Sequence, residues 1–480
     1  MTTPTSITSS FAELSPHVQP SSASALSALL EANHASHHCF FNTRGMHNHS
    51  AHQLIADLTI SATPAQLQQH YDYQIAHYLS GFSYNDRSQY DPYHPSFHGK
   101  GANCKVAKID ETNWRDHLGN ARFYWSYLHF FDDQVNKIGF RGVLDKYVLS
   151  EDANEGKAQM LVRFYGGVLH AWIHFGYGIE LGMGGLAGEG LAMASATAAG
   201  HAWLFDHGWL FSPAGFEGEK TGLMDLIKEV QDDERLSVDA LGLKNEEASL
   251  PDAPFEKGPA KGVIQSYVDR WSSLTNPEQA MGELSLLSAL LLGAVPKQSD
   301  SQAYKHDFFL MHLNNAHLFT PLYLDLLSST NDAAKSALLK GLLAQFLYYY
   351  VCRGRPAFSK ANWQEQFAEK TVLDWQTMFR EARENVDEHL PKAIRSLYVF
   401  ERRYSGFQKQ LLDSHLLDKG TQEGNEEWMQ SASVWRYTAN QLVRMHRGEL
   451  QKSKYDDAKK RKEGESIGAH QEFWSFDPFF

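Results

Sequence analysis

Helix start and stop signals constrain the fold of this 480-residue chain more than any other feature of its sequence. Thr63-Pro64-Ala65-Gln66 combines an N-cap threonine, a proline in the first turn and a glutamine three residues after the cap, a pattern that begins a helix. The segment that follows carries an apolar stripe at spacings of three and four, formed by Leu67, Tyr71, Ile75 and Tyr78.

Further stretches carry the same helical patterning. The run Leu284 to Val295 is too short to span a bilayer and stops at Pro296, which predicts a buried helix. Alternating strands bounded by hairpin dipeptides are scarce. We therefore predict an all-α protein, a large single-domain helical fold with long loop insertions. The other predicted helices cover residues 305–327, 335–352, 375–398 and 431–447.

The spacing of polar and aperiodic stretches suggests how the chain is organised. Residues 1–25 are predicted to be a flexible lead-in, 26–450 a helical catalytic domain, and 451–480 a charged and aromatic tail. Within the domain, 243–262 is polar and proline-bearing and is predicted to be a loop insertion. Ser80 to Lys108 has no clear period and is predicted to be a long surface loop that could cover a site.

Composition excludes several classes of function. The formal charge of −13 argues against nucleic acid or an anionic membrane as the main partner, since both select basic surfaces. Three cysteines without paired spacing argue against a disulfide framework or a cysteine-based zinc module. The sequence shows no secretory or lipidation signal, so we expect a cytoplasmic protein. The oligomeric state is left open.

Histidine is the residue type that points to chemistry, because imidazole is the commonest metal ligand and acid–base group. The chain has 24 histidines. Two histidines three or four residues apart in a helix can reach one ion from the same face. The candidates have such spacing or an apolar setting: His49 and His52, His170 and His174, His312, and His389 with Lys392.

Each candidate also has a structural interpretation, which the spacing alone does not exclude. The alternatives are the last turn of a helix before Gly176 for His170 and His174, the start of a helix for His49 and His52, a hydrogen-bonded core position for His312, and a solvated charged face for His389 and Lys392.

Several histidines together favour a metal site. A nitrogen and oxygen donor set without cysteine suits zinc, iron, copper or nickel, and the zincin HExxH motif is absent from the sequence. Histidines completed by one oxygen donor are compatible with redox-active iron(II). Lys392 follows His389 by three residues. A buried lysine has a lowered pKa, so its neutral amine could take up carbon dioxide and offer a carbamate oxygen.

One motif is misleading. The segment from Gly182 to Ala187 matches the glycine pattern of a dinucleotide-binding turn, and Asp206 lies at about the expected acidic spacing. A Rossmann turn follows an apolar strand, whereas this segment follows a helical pattern. We interpret 186–205 as a small-residue helix that packs closely against its neighbours.

At several positions the chain resembles the questin oxidase-like proteins. The most specific segment runs from Gly166 to Glu180 and contains the histidine pair, and the similarity extends in order from about residue 40 to about residue 400. Gln53 stands where a second of two adjacent histidines is expected, so this position offers no imidazole. The other segments that carry the resemblance are 48–54, 63–67, 308–312 and 387–395.

The resemblance implies an enzyme of fungal secondary metabolism that oxidatively opens a ring of an anthraquinone-type polyketide, in a reaction often described as Baeyer–Villiger oxidation. NADPH dependence is attributed to the family, and non-haem iron to some of its members. We expect iron(II) on a subset of the histidines, with dioxygen as co-substrate and Lys392 as an oxygen donor. His389 is the candidate proton shuttle or orienting residue. Tyr177 is the candidate donor to a substrate carbonyl, and the alternative for it is a buried aromatic residue of the core.

Two alternatives remain open from the sequence. One is a metal-free, NADPH-dependent Baeyer–Villiger-type monooxygenase, for which chelation would leave the rate unchanged. The sequence shows no flavin-type fingerprint that would support it. The other is a non-catalytic helical protein that binds polyketides without turnover.

Overall fold

A computed structural model describes most of the chain. The described ranges are 18–42, 45–79, 105, 107–212, 218–246, 250–257, 260, 262–295, 297–298, 304–327, 332–359, 372–414, 416–417, 432–447, 474–476 and 478–479. Most of the predicted loop at residues 80–108 lies outside them, as do the lead-in up to residue 17 and most of the tail.

The described chain is predominantly helical, which confirms the all-α prediction. None of its helices is both long enough and apolar enough to cross a membrane. In chain order, the α-helices are α1 (Pro20–Ser36), α2 (Ser50–Thr59), α3 (Pro64–Gln74), α4 (Tyr124–Leu144), α5 (Met160–Leu181), α6 (Gly184–Ala196), α7 (His207–Leu210), α8 (Leu223–Asp232), α9 (Ala253–Lys257), α10 (Val263–Arg270), α11 (Pro277–Gly293), α12 (Phe308–His317), α13 (Thr320–Leu326), α14 (Asp332–Cys352), α15 (Trp375–Arg383), α16 (Leu390–Tyr404), α17 (Gln408–Asp413) and α18 (Val434–His446).

The chain is divided into two compact units. Unit 1 comprises residues 1–207 and 321–331 and contains α1 to α6. Its best-packed elements are α4, α5 and α6, where small residues allow close contact. A Cβ atom added at Gly190 would come within 2.8 Å of the backbone nitrogen of Phe175. One added at Gly178 would come within 2.8 Å of that of Ala187. The small-residue helix predicted after the glycine motif is therefore present, although it ends at Ala196 instead of Phe205.

Unit 2 comprises residues 208–320 and 332–480 and contains α8 to α12 and α14 to α18. It also holds a small sheet of three short strands, β1 (Lys297–Gln298), β2 (Tyr304–Asp307) and β3 (Trp474–Ser475), in the order β1-β2-β3. β1 pairs with β2 in the antiparallel sense, and β2 pairs with β3 in parallel. The apolar run that begins at Leu284 lies in α11 and is buried, as predicted.

Local signals predicted helix positions well but not always their ends. The capping box at Thr63 is present, with both its side-chain and its backbone hydrogen bond to Gln66. The prediction of a single helix over 305–327 is wrong, because the first residues of this range belong to strand β2. Helix α12 begins only after Asp307, whose side chain accepts hydrogen bonds from the amides of Phe309 and Leu310. The helix predicted over 375–398 is interrupted between Arg383 and Leu390. The predicted insertion at 243–262 contains the short helix α9.

Candidate functional site

The first group of predicted site residues lies on α2 and α5, both in unit 1. Every residue of α2 is buried, including His52 in its first turn. His49 is the N-cap residue of this helix, but its side chain makes no capping hydrogen bond. His49 therefore lies at the helix start, as the structural interpretation proposed, while its ring is buried and directed elsewhere.

His170 and His174 lie in the part of α5 that follows a break at residues 166–169. The interpretation that they complement a helix end before Gly176 is wrong, because the helix continues to Leu181 and ends at a left-handed Gly182. Both rings are buried. A four-residue spacing on one continuous helix places them on the same face, as predicted.

A left-handed turn interrupts α5 immediately before His170. Gly167, Val168 and Leu169 have φ values of 55°, 58° and 61°. A left-handed conformation is costly for residues with a Cβ and more so for a β-branched one, so Val168 and Leu169 store strain here. The turn brings the carbonyl oxygen of Gly167 to 2.5 Å from Nδ1 of His170.

The four histidines form two pairs through their ring nitrogens. Nε2 of His49 lies 2.7 Å from Nε2 of His170, and Nε2 of His52 lies 3.0 Å from Nδ1 of His174. Since the Gly167 carbonyl accepts the proton of His170 Nδ1, the Nε2 atom of this ring carries a lone pair. At these distances each pair shares a hydrogen bond. Two ligand atoms at a right angle, each about 2.1 Å from one ion, also lie about 3.0 Å apart, so a pair could hold two neighbouring positions around an ion.

A buried carboxylate orients the second pair. Glu189 of α6 lies with Oε2 2.5 Å from Nε2 of His174. Its other oxygen, Oε1, lies 2.6 Å from Nδ1 of His34. The His174 Nε2–H therefore donates to Glu189, which leaves Nδ1 of His174 as the acceptor or ligand atom that faces His52. Metal-binding histidines commonly have such a carboxylate behind the ring.

His34 continues this chain of hydrogen bonds towards solvent. Its Nε2 lies 3.0 Å from Asp132, whose side chain is 26% exposed. Both ring nitrogens face carboxylate oxygens, so both donate and His34 is an imidazolium. Burial opposes its charge, but the hydrogen bonds and charges of Asp132 and Glu189 raise the pKa of His34 to about 10. Burial alone would raise the pKa of Glu189, yet His174 and His34 lower it to about 2.

Three members of this group were not predicted from the sequence. His47 stacks on the ring of His170 with centroids 3.9 Å apart, and a Cβ at Gly167 would come within 2.8 Å of the His47 ring. Glu189 and His34 were also missed. A detectable signal existed for Glu189, because it is the single charged residue in the otherwise small and apolar helix α6.

Tyr177 lies beside the same group. Its ring is buried and its centroid is 5.3 Å from that of His52. The structure thus brings together, within unit 1, all the predicted site residues of this half of the chain: His49, His52, His170, His174 and Tyr177.

The remaining predicted residues lie together in unit 2. His312 of α12 is fully buried, and the carbonyl oxygen of Phe308 accepts the proton of its Nδ1 at 2.8 Å. This hydrogen bond leaves a lone pair on Nε2, as for His170. The ring of His312 lies 5.4 Å from that of His389, so these two predicted residues are neighbours.

His389 and Lys392 are buried, which makes the interpretation as a solvated charged face wrong. Two carboxylates accompany them, since Nδ1 of His389 lies 3.7 Å from Glu388 and 4.0 Å from Asp387. Burial lowers the pKa of Lys392 to about 8, against the attraction of both carboxylates. Within the described ranges the Lys392 ammonium makes no hydrogen bond. A single ion shared by His312, Lys392 and the earlier histidines stays a prediction.

Comparisons with known proteins place the chain among fungal oxidases and monooxygenases. The chain is 27% identical over 410 residues to a protein of Aspergillus aculeatus named a Baeyer–Villiger monooxygenase, and the match covers 81% of this chain and 80% of that protein. It is 26% identical over 393 residues to a Baeyer–Villiger oxidase of Pestalotiopsis fici, covering 78% and 79% of the two chains. It is 25% identical over 390 residues to a questin oxidase of Aspergillus terreus, covering 79% and 81%.

These relatives are oxidases and oxygenases, so the chain is an oxidoreductase. The family described as questin oxidase-like matches residues 46–397, which include every predicted site residue from His49 to Lys392. The chain belongs to the questin oxidase-like family.

Proposed function

We propose that this protein is an oxygenase that oxidatively opens a ring of an anthraquinone-type polyketide and that it depends on non-haem iron. The observation that carries the proposal is the pairing of ring nitrogens in unit 1. His49 with His170 and His52 with His174 present nitrogens 2.7 and 3.0 Å apart, without cysteine. The names of the relatives, which include questin oxidase, support the class of substrate.

Iron(II), when bound by these histidines, supplies the one-electron chemistry that allows dioxygen to react with a closed-shell aromatic molecule. The protein residues prepare the site. The carbonyl of Gly167 fixes the tautomer of His170, and the carboxylate of Glu189 fixes that of His174. Both rings then present a lone pair without any rearrangement.

Tyr177 and His389 serve the substrate in this proposal. The Tyr177 hydroxyl donates to a quinone carbonyl, which holds the flat ring system and polarises the bond to be opened. Its position beside His52 supports this role. His389 orients a ligand or moves a proton. A Tyr177→Phe variant keeps the ring and removes the donor, so it separates binding by stacking from polarisation of the carbonyl.

Lys392 is proposed to carry a carbamate. Because burial lowers the pKa of Lys392 to about 8, a fraction of this side chain is in the neutral amine form near neutral pH. Protein labelled with ¹³C-bicarbonate should show a carbamate carbon signal that is absent from Lys392→Arg. Lys340 is the matched control. Its ammonium is also buried but is held by the carbonyls of Trp209 and Ser212, so Lys340→Arg should keep the signal.

The experiment that tests the proposal is elemental analysis of the purified protein beside a His170→Ala/His174→Ala double variant. We expect close to one iron per chain in the native protein and loss of iron in the folded variant. A His77→Ala/His117→Ala double variant, which changes histidines outside the group, should keep the iron. Absence of metal in the native protein, with no gain on anaerobic addition of iron(II), would contradict the proposal.

One alternative retains support from the relatives named Baeyer–Villiger oxidases. In a metal-free monooxygenase, one oxygen atom enters the ring and the other leaves as water at the expense of NADPH. Stoichiometric NADPH oxidation that persists after chelation would favour it.

A further inference from the structure

The last described residues of the chain are part of the core of unit 2. Trp474 and Ser475 form β3, which pairs in parallel with β2 at His306 and Asp307. Trp474 is 1% exposed, so a side chain six residues from the carboxyl end is buried as fully as those of the central helices. The segment predicted to be a tail therefore contributes a buried side chain, Trp474, to the core of unit 2.

Arg353 holds this segment at two points. Its Nη2 donates to the carbonyl of Phe476 at 2.9 Å, and its own carbonyl accepts from the amide of Phe479 at 3.1 Å. The guanidinium is fully buried, and Nε donates to Asp307 at 2.6 Å. A charge-assisted pair of this kind fixes the arginine in one orientation. The segment therefore packs against an Arg353 side chain whose orientation is already fixed by Asp307.

The segment also contacts the loop that precedes Lys392. The indole nitrogen of Trp474 donates to both carboxylate oxygens of Asp387 at 3.2 Å. Oδ1 of the same carboxylate accepts from the amides of His389 and Leu390 at 2.9 Å. Those two amides begin α16, and Lys392 lies in its first turn.

Aromatic packing gives a second connection. The ring of Trp474 lies 5.9 Å from that of His389. Phe476 stacks on Phe308 at 4.2 Å, and Phe308 lies 4.6 Å from His312 and 5.1 Å from His389. The carboxyl-terminal segment thus touches the surroundings of both histidines of this group.

We propose that Trp474 is a positioning residue that acts through Asp387 on His389 and on the start of the helix carrying Lys392. Asp387 is buried and must be satisfied by donors. Without the indole N–H, the carboxylate turns or recruits water, and it then releases the amides of His389 and Leu390. The role of His389 and Lys392 in oxygenation rests on the proposed function, whereas the positioning itself does not.

A single substitution isolates the hydrogen bond. Trp474→Phe keeps an aromatic ring and removes the N–H donor. We expect amide hydrogen exchange at residues 389 and 390 to become about fivefold faster, the effect of losing one hydrogen bond. We also expect kcat to fall with KM unchanged, because Trp474 orients reacting groups and does not bind substrate.

A matched control is Trp435→Phe in the same unit. This indole is also fully buried and donates its N–H, to the carbonyl of Ser285 at 3.1 Å. The two variants lose the same group from equally buried positions, so a general loosening of unit 2 would accelerate exchange at residues 389 and 390 in both. Equal exchange in the two variants, or no change in Trp474→Phe, would overturn the inference.

The second test removes the carboxyl-terminal segment by truncation and then adds it back as a peptide. A chain that ends at residue 473 should lose protection at residues 389 and 390, and the synthetic peptide of residues 474–480 should restore it. The same peptide carrying Trp474→Phe should bind without restoring protection. Rescue of protection by that peptide would overturn the role of the indole N–H. If the shortened chain does not fold, the two point variants decide.

These readouts separate the inference from the proposed function. Hydrogen exchange is measured without substrate, added metal or turnover. Accelerated exchange in Trp474→Phe together with no oxygenase activity in the native protein would refute the function and leave the positioning role standing. Full kcat in Trp474→Phe with a native exchange pattern would refute the positioning role and leave the function standing.

Discussion

The group around Glu189 in unit 1 and the group around Lys392 in unit 2 are equally buried but are held in different ways. Glu189 lies 2.5 Å from His174 and 2.6 Å from His34, so its charge is fully hydrogen-bonded. Lys392 has two carboxylates in its neighbourhood and, among the described residues, no hydrogen bond to its ammonium. The charge of Glu189 therefore stabilises the folded protein, whereas the charge of Lys392 destabilises it. Neutralising each should therefore have opposite effects.

The largest effect is expected at Glu189. Glu189→Gln removes the charge that faces the His34 imidazolium at 2.6 Å, while the carboxylate of Asp132 remains beside it. We expect the free energy of unfolding to fall by about 3 kcal/mol, because a buried charge loses its compensating partner. Denaturant unfolding at pH 6 measures this difference.

Glu283→Gln is the control for that substitution. Glu283 is also buried, but its partners are the neutral donors of Trp271 and Gln279. We expect a loss of about 1 kcal/mol, the usual size for a neutral hydrogen bond. Equal losses in the two variants would mean that the His34–Glu189 pair carries no special charge stabilisation.

The pH dependence of stability should report the same pair. The pKa of His34 is raised from 6.5 to about 10, so its contribution is fully present below pH 6.5 and is lost as the pH rises through 10. The pKa of Glu189 is lowered from 4.5 to about 2, so its contribution is present above pH 4.5 and is lost as the pH falls through 2. Both contributions are complete between pH 4.5 and 6.5.

His34→Gln measures this dependence. The difference in free energy of unfolding between the native protein and His34→Gln should be largest near pH 6 and should shrink steadily towards pH 10. His77→Gln, at an exposed site, is the control for the loss of a histidine as such. A constant difference across this range would indicate that His34 is held as a neutral ring.

Lys392→Met should act in the opposite direction from Glu189→Gln. Because burial lowers the pKa of Lys392 from 10.5 to about 8, its charged form is less stable in the folded than in the unfolded chain. We expect the methionine variant, compared with native protein free of metal and carbon dioxide at pH 7, to gain about 1 kcal/mol while losing activity. Denaturant unfolding and oxygen uptake check the two parts separately.

Lys340→Met tests whether this gain is specific to Lys392. The Lys340 ammonium donates to two carbonyls and to the Ser212 hydroxyl. Its removal leaves these acceptors without their donor, so we expect a loss of about 1 kcal/mol. A rise in the free energy of unfolding in both variants would mean that burying either lysine destabilises the fold. The contrast between Lys340 and Lys392 would then disappear.

The sequence predicted what depends on neighbours along the chain. The cap at Thr63, the apolar run of α11 and the face shared by His170 and His174 all follow from spacing within one or two turns. The partners of the site depend on distant residues. His34 lies 155 positions from Glu189, and Trp474 lies 87 from Asp387, so no local pattern connects them. Burial of Lys392 was likewise set by packing against distant elements and not by its polar neighbours in sequence.

The left-handed turn before His170 could not be predicted for a different reason. Local propensity opposes it, because Val168 and Leu169 both disfavour positive φ. A conformation that the sequence disfavours persists only when surrounding packing requires it, and such strain is typical of functional sites. His312 obtains the same Nδ1 hydrogen bond from a regular helix turn, where it costs nothing.

Val168→Gly should therefore produce the smallest change, and in a direction that is unusual for a helix. Relief of about 1–2 kcal/mol of strain exceeds the roughly 1 kcal/mol entropic cost of glycine, so we expect the free energy of unfolding to rise by about 0.5 kcal/mol. Val168→Ala retains a Cβ and should gain less. Iron retention on dialysis should weaken in the glycine variant, because a relaxed turn no longer fixes His170 against the Gly167 carbonyl. A stability loss of the size expected for glycine in an ordinary helix would show that the turn is unstrained, and the distinction between His170 and His312 would then rest on their partners alone.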